Sequence, residues 1–315
     1  MAQRQDFFRR SEKMFSLYGV GNFKEALAVA NTLATEFPEE TASTDFWRIC
    51  LLNVSGETRN ALDTMQKSID AGMWWSEPQL RADTDLASLQ GNAEFERMVT
   101  ICKERQSAAQ AGAKPGLLVR EPGGAGPHPL LIALHGRSSS PEHDLARWEL
   151  VVPDGWLLAM PQSSQLGSPN SYVWDDAEKG MLEIDEHYKS LVKQYQIDTA
   201  RIVLGGFSQG AALSILLTLD GRIPARGFLP ISPGGLSQEI LETLAKSAYV
   251  RGTRGYMVVG GHDFRFEMLK GIYNTLCVCQ IPCIFEEHAE MAHEFPSDFD
   301  QTLQRAMDFI FEKKE

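Results

Sequence analysis

The chain has 315 residues and a formal net charge of −12, enough length for one large domain or two unequal ones, and the wrong sign for a nucleic-acid footprint or for attraction to an anionic membrane. The five cysteines, Cys50, Cys102, Cys277, Cys279 and Cys283, lack metal-ligand spacing and read as reduced structural thiols. No window approaches the roughly eighteen consecutive apolar residues of a membrane span, and the stretch from Met1 to Asp6 lacks the apolar core of a signal peptide, so a cytoplasmic protein without integral membrane insertion is expected.

From residue 1 to about 110 only helical periodicity is found. Residues 11–18, 24–36, 44–53, 58–71 and 93–110 each carry apolar side chains at intervals of three and four. Gly21-Asn22-Phe23-Lys24-Glu25-Ala26-Leu27 and Gly56-Glu57-Thr58-Arg59-Asn60-Ala61-Leu62 lie 35 residues apart, with Pro38 ending the first helix pair. This part resembles a degenerate tetratricopeptide pair, although the Trp and Gly expected in that family's first helix are missing. Helical hairpins of this kind bury their apolar faces only against a neighbour, so the following domain is expected to cap them.

The small, polar run 106–115 ending in Lys114-Pro115-Gly116 suits a linker. The expected division is a helical, tetratricopeptide-like domain at 1–112 and a catalytic domain at 113–315. Beyond the linker, short apolar runs at 117–119, 130–134, 156–160, 201–204, 227–231, 255–259 and 282–286 alternate mostly with helix-length segments. That alternation predicts a mostly parallel sheet covered on both faces, with chemistry in the loops beyond the carboxyl ends of its strands.

Arg201 to Leu204 leads into Gly206-Phe207-Ser208-Gln209-Gly210 and then into the apolar helix pattern 211–219. Strand, tight turn and helix around GxSxG form a nucleophile elbow, in which a strained turn holds the serine hydroxyl clear of the backbone. The turn would place the Gln209 N–H at a helix N-terminus, where a developing oxyanion is favoured. His135-Gly136-Arg137-Ser138 follows the strand ending at Leu134 and offers the backbone N–H of Arg137 as a second donor. Further along stand Gly261-His262-Asp263 and Met291-Ala292-His293-Glu294-Phe295-Pro296. The order Ser208, Asp263, His293 is that of α/β-hydrolases, with serine as nucleophile, histidine as base and the carboxylate fixing the tautomer. His262 and His288 compete for the role of base, and Glu287 and Glu290 for that of the acid.

Leu134-His135-Gly136, the GFSQG elbow, Gly261-His262-Asp263 and the Met291 to Pro296 run together resemble the phospholipase/carboxylesterase family of α/β-hydrolases, which includes acyl-protein thioesterases. The resemblance covers about 115–312 and implies nucleophile Ser208, acid Asp263, base His293 and backbone oxyanion donors Arg137 and Gln209. It implies a carboxylic-ester hydrolase, with thioesterase and lysophospholipase activities as neighbours, and no cofactor or metal. The oxyanion loop, Arg-Ser-Ser-Ser, and the acid loop, continuing Phe264-Arg265-Phe266, depart from the family pattern, and only one strand pattern precedes Leu130. The long segment 161–180 carries Tyr172 and Trp174, readable either as a substrate-binding flap or as anchors that pin the loop to the core. The helical part is expected to dock on the carboxyl-end face, with Trp74 and Trp75 walling the cleft. The substrate is expected to be a small-molecule ester. A homo-oligomer or a protein partner through the helical part stays open, as does a protein-binding module carrying an inactive hydrolase domain.

Overall fold

The computed structural model of the chain describes residues 2–248 and 252–312. It divides into two compact units, one made of Met1–Lys114 with Ser164–Asp175, the other of Pro115–Ser163 with Asp176–Glu315. The segment 164–175, which the sequence assigns to the same domain as the elbow, thus clusters with the helices.

In the helical unit, α1 (Ala2–Gly19), α2 (Phe23–Glu36), α3 (Thr41–Val54) and α4 (Thr58–Asp70) pack each on the next, followed by a short α5 (Glu77–Ala82), a 3-10 stretch at Thr84–Leu89 and a long α6 (Ala93–Gln110). The 35-residue echo in the sequence is one turn used twice. Gly21 and Gly56 have φ of 77° and 81°. After each, the next N–H reaches back five residues, Asn22 to the Leu17 carbonyl and Glu57 to the Leu52 carbonyl, each at 2.9 Å. That is the glycine-terminated cap which satisfies the last carbonyls of a helix and reverses the chain. Ile49, Leu62, Met65, Trp74, Trp75, Leu86, Phe95 and Met98 form the core of this unit. Trp75 is 1% exposed and Trp74 6%, and the Trp75 indole N–H donates to the Ala42 carbonyl at 2.8 Å. The expectation that these two rings wall a cleft is therefore corrected: burial of their large apolar area inside the helical core outweighs any surface role.

Ser164–Asp175 folds as a small antiparallel hairpin, β4 (Leu166–Ser168) with β5 (Ser171–Tyr172). Gln110 clamps it from α6, donating to the Ser164 carbonyl at 2.6 Å and accepting from the Leu166 N–H at 3.0 Å. Gln106 donates to the Leu166 carbonyl at 2.9 Å, and the Ser76 N–H reaches the Gly167 carbonyl at 2.7 Å.

The second unit holds a seven-stranded sheet of β1 (Gly116–Arg120), β2 (His128–Leu134), β3 (Leu157–Gln162), β6 (Ile197–Phe207), β7 (Gly227–Ile231), β8 (Arg254–Gly260) and β9 (Cys283–His288), in the spatial order 1-3-2-6-7-8-9. The edge strand β1 runs antiparallel to β3; all other neighbours are parallel. Parallel strands are buried on both faces, which is why β2, β7 and β8 are nearly continuous apolar runs. One face is covered by α7 (Pro141–Trp148) and α12 (Phe299–Phe311), through Trp148, Phe299, Leu303 and Ile310. The other is covered by α9 (Ser208–Asp220), α10 (Gln238–Ala248) and α11 (Phe266–Val278), through Ile215, Leu241 and Leu269, with α8 (Ala177–Gln194) beside α9. The strand order reverses between β2 and β6, which opens a crevice at their carboxyl ends. No described helix is long and apolar enough to cross a membrane.

Candidate active site

The crevice between β2 and β6 is where β6 turns into α9, and Ser208 is the turning residue. Its φ of 50° lies in the left-handed region, which costs a non-glycine residue of order 1 kcal/mol or more and is held there by its surroundings. The flanking glycines are required by contact. A β-carbon at Gly206 would stand 2.6 Å from the Gly210 carbonyl carbon, and one at Gly210 only 2.3 Å from the His135 carbonyl oxygen. So Gly206 lets the strand approach its own helix, and Gly210 lets that helix press on the end of β2.

Two further loops converge on the serine. The Asp263 loop after β8 and the His293 loop after β9 run backbone against backbone: the His262 N–H donates to the Met291 carbonyl and the Gly261 N–H to the His288 carbonyl, both at 2.9 Å. The result is a continuous chain of side chains. His293 Nε2 lies 3.0 Å from Ser208 Oγ and His293 Nδ1 lies 2.7 Å from Asp263 Oδ2. Asp263 Oδ1 accepts the Arg265 backbone N–H at 2.9 Å. This places a proton on Nδ1 and leaves the Nε2 lone pair facing the serine.

The electrostatics follow from burial. Desolvation lowers the pKa of His293 below the ordinary histidine value; the hydrogen bond and charge of Asp263 oppose it, and the nearby Arg265 cation adds to the lowering. For Asp263, burial works to raise the pKa, but the His293 contact and the Arg265 N–H outweigh it, so the carboxyl stays below its usual value and ionised. The imidazole is held between two rings, Phe207 at 5.0 Å and Phe264 at 5.4 Å between centroids.

The competing residues are elsewhere. His288 Nε2 sits 2.7 Å from Glu286 Oε1, and His262, Glu287 and Glu290 are exposed. Gln209 follows the serine as the second residue of α9, and the loop carrying Arg137 comes close to it at Gly136, where a β-carbon would be 3.7 Å from Ser208 Cβ. Tyr172 and Trp174 lie on the hairpin that clusters with the helices, and Trp174 is 3% exposed. Of the two readings open for that loop, anchoring is the one Trp174 fits.

Two further residues at the site have roles that the sequence did not assign. His135 is fully buried; its Nδ1 lies 2.8 Å from the Gly136 carbonyl and its Nε2 accepts the Ser163 N–H at 3.3 Å, which ties the Gly136-Arg137 turn to the end of β3. Burial pushes its pKa down to about 4, so it is a neutral strut. Arg265 places Nη2 3.4 Å from His293 Nε2. In sequence it shows only as part of the Phe264-Arg265-Phe266 departure from the family pattern, which does not say where its guanidinium goes.

Residues 167–310 match the family model described as Phospholipase/Carboxylesterase. Over that stretch the chain is similar to the phospholipase/carboxylesterase family. Residues 11–110 match the model of the A/B hydrolase-like N-terminal domain, a match that does not bear on the tetratricopeptide resemblance. The chain is similar along nearly its whole length to an uncharacterized protein from Bacillus cereus ATCC 10987, which is 26% identical with a TM-score of 0.57, covering 98% of this chain and 99% of that one. The structure of esterase PE8 shares the hydrolase fold, with 18% identity and a TM-score of 0.53 over 63% of this chain and 99% of that chain. A segment of 106 residues is 30% identical to the bifunctional acetylxylan esterase/xylanase XynS20E of Neocallimastix patriciarum; the match covers 32% of this chain and spans only 15% of that enzyme's length.

Proposed function

We propose that the chain hydrolyses a carboxylic ester through an acyl-serine intermediate, with Ser208 as nucleophile, His293 as general base and then acid, and Asp263 as the group that orients and charges the imidazole. The observation that carries this reading is the unbroken hydrogen-bonded sequence Ser208–His293–Asp263 at a left-handed elbow. Ser208 Oγ attacks the ester carbonyl carbon as its proton passes to Nε2, and the ionised Asp263 stabilises the imidazolium. The oxyanion takes hydrogen bonds from the backbone N–H groups of Arg137 and Gln209, each worth about 3 kcal/mol of barrier. Collapse expels the alcohol, which takes the proton from Nε2. Water then attacks the acyl-serine with its proton going to the same nitrogen, and the serine leaves as the protonated hydroxyl, so ester and water become acid and alcohol.

A neutral imidazole is the form this needs, and the lowered pKa of His293 supports its being neutral at pH 7. The match of residues 167–310 to the Phospholipase/Carboxylesterase model supports an ester as the substrate. The alternative of a binding module with an inactive hydrolase domain is disfavoured by the hydrogen-bond geometry, which a dead site has no reason to keep. The test is a fluorophosphonate probe on the purified protein: stoichiometric labelling of Ser208, abolished in Ser208→Ala, is expected. A folded protein that stays unlabelled would sink the enzyme reading.

A further inference from the structure

Most of the described arginines have an oxygen partner. Nine others make ion pairs with carboxylates, and Arg97, Arg105, Arg120 and Arg226 donate to amide or carbonyl oxygens. Arg265 is half-buried, makes no ion pair with a carboxylate among the described residues, and has a buried Nε with no hydrogen-bond partner. Its neighbour Asp263 is committed to His293 and to the Arg265 backbone N–H. A cation removed from water without a partner is costly, and such a cost is retained where a ligand supplies the partner.

Its position says which ligand. Nη2 lies 3.4 Å from His293 Nε2, and that nitrogen lies 3.0 Å from Ser208 Oγ, so the guanidinium is no farther from the nucleophile than those two lengths laid end to end. At its other end, a β-carbon on Gly234 would be 2.8 Å from Nη1 and 3.4 Å from the Gln209 nitrogen, while the Gly234 N–H donates to the Ser208 carbonyl at 2.8 Å. The guanidinium therefore spans the mouth of the site from the base to the N-terminus of α9. The exposed ring of Phe264 lies against it, 4.6 Å from the guanidinium carbon, and holds the plane in place. Arg137 adds a second positive charge close enough to help burial push the Arg265 pKa below the ordinary arginine value, against the pull of Asp263.

We propose that Arg265, supported by the charge of Arg137, binds a carboxylate carried by the substrate a short carbon chain away from the scissile carbonyl, so that the site selects half-esters of short dicarboxylic acids over neutral esters. This rests on the ester-hydrolase reading above. A guanidinium is suited to the task because its planar fork matches a carboxylate with two parallel hydrogen bonds. The arrangement also couples recognition to chemistry. Both the Ser208 hydroxyl and the Arg265 guanidinium face the single lone pair on Nε2. A substrate carboxylate draws the guanidinium away and offsets its charge, leaving Nε2 to the serine and raising its basicity.

The experiment compares monoethyl succinate with ethyl butyrate, which puts a methyl group where the free carboxylate stands, by following ethanol release. Wild-type protein is expected to show a kcat/KM at least tenfold higher for the half-ester, with only that substrate weakening as salt rises. In Arg265→Gln the ratio of the two kcat/KM values should fall at least tenfold, in Arg265→Lys it should fall less, and in Arg265→Glu the neutral ester should be preferred. A wild-type ratio near one, or a ratio that Arg265→Gln leaves unchanged, overturns the proposal; if the Gln and Glu variants do not fold, the wild-type ratio and its salt dependence decide alone. Failure of the parent reading looks different: neither ester is turned over and the fluorophosphonate probe does not label Ser208. Turnover of ethyl butyrate without preference for the half-ester removes only the role of Arg265.

Discussion

Gly260 lies directly under Met291: a β-carbon at 260 would stand 2.1 Å from the Met291 carbonyl oxygen and 2.2 Å from that of Ala292. The last residue of β8 is thus pressed against the loop that presents His293, and the two loops share backbone hydrogen bonds. Gly260→Ala must push the loops apart, because backbone atoms on both sides cannot yield as a flexible side chain can. We expect a loss of about 1–3 kcal/mol in stability, read by denaturant midpoint, and a fall in kcat larger than any rise in KM, since the His293–Asp263 pair is what shifts. A variant with wild-type kcat would show that the contact does not set the geometry of the site.

Ser208→Ala should lower ester hydrolysis by several orders of magnitude, about 10⁴ or more, and Asp263→Asn by about 10⁴ through the wrong imidazole tautomer. Neither change alters the apolar core, so both variants should melt close to wild type. His293→Ala should cost as much as Ser208→Ala, while His288→Ala, at a residue engaged with Glu286, should leave kcat within a few-fold. Steady-state kinetics on a neutral ester checks all four.

The pH profile follows from His293. Only the neutral imidazole accepts the serine proton, and burial lowers its pKa from the ordinary value, so kcat/KM should rise with pH through a midpoint below about 6.5. A midpoint above that value would mean that the carboxylate of Asp263 dominates the imidazole more than its burial does.

Stability against pH carries two opposed terms. His135 titrates at about 4 when folded and near 6.5 when unfolded, so the unfolded chain binds the extra proton and stability is lost as pH falls through that window. Asp144 on α7 is buried, which pushes its pKa up to about 6 against the pull of Arg147; here the folded state binds the proton first, and stability is gained as pH falls from about 6 toward 4. The two roughly cancel in the wild type. Asp144→Asn removes the compensation, so its urea midpoint should drop more between pH 6.5 and 4.5 than that of wild type, by an amount on the order of 2 kcal/mol. Parallel behaviour of the two proteins would refute the assignment.

Gln110→Ala breaks both arms of the clamp on the 164–175 hairpin at once. The expected cost is about 1–3 kcal/mol, because a buried carbonyl and a strand N–H both lose their partner. Amide exchange should accelerate in 164–175 well before it does in β2 or β8. Unchanged protection would mean that Leu166 and Trp174 hold the hairpin without the glutamine.

Much of this molecule was legible along the chain because its signals are local. Seven apolar runs became the seven strands of the sheet, most plainly β2, β7 and β8, since a parallel strand buried on both faces must be apolar throughout, and five helical patterns became α1, α2, α3, α4 and α6. The GFSQG turn could be read because only glycine allows the two close approaches at 206 and 210. The order of Ser208, Asp263 and His293 could be read because each ends a strand or follows one. What tertiary structure alone decided is proximity between groups without a shared spacing. The 164–175 segment carries no mark of belonging with the helices, because its ties are side-chain amides of Gln106 and Gln110 reaching its backbone. Trp74 and Trp75 look like binding-surface aromatics until the helical core closes over them. Arg265 shows in sequence only as part of a departure from the family pattern, and becomes an unpaired cation near Ser208 because the β8 and β9 loops fold its guanidinium against His293, where no carboxylate among the described residues forms an ion pair with it.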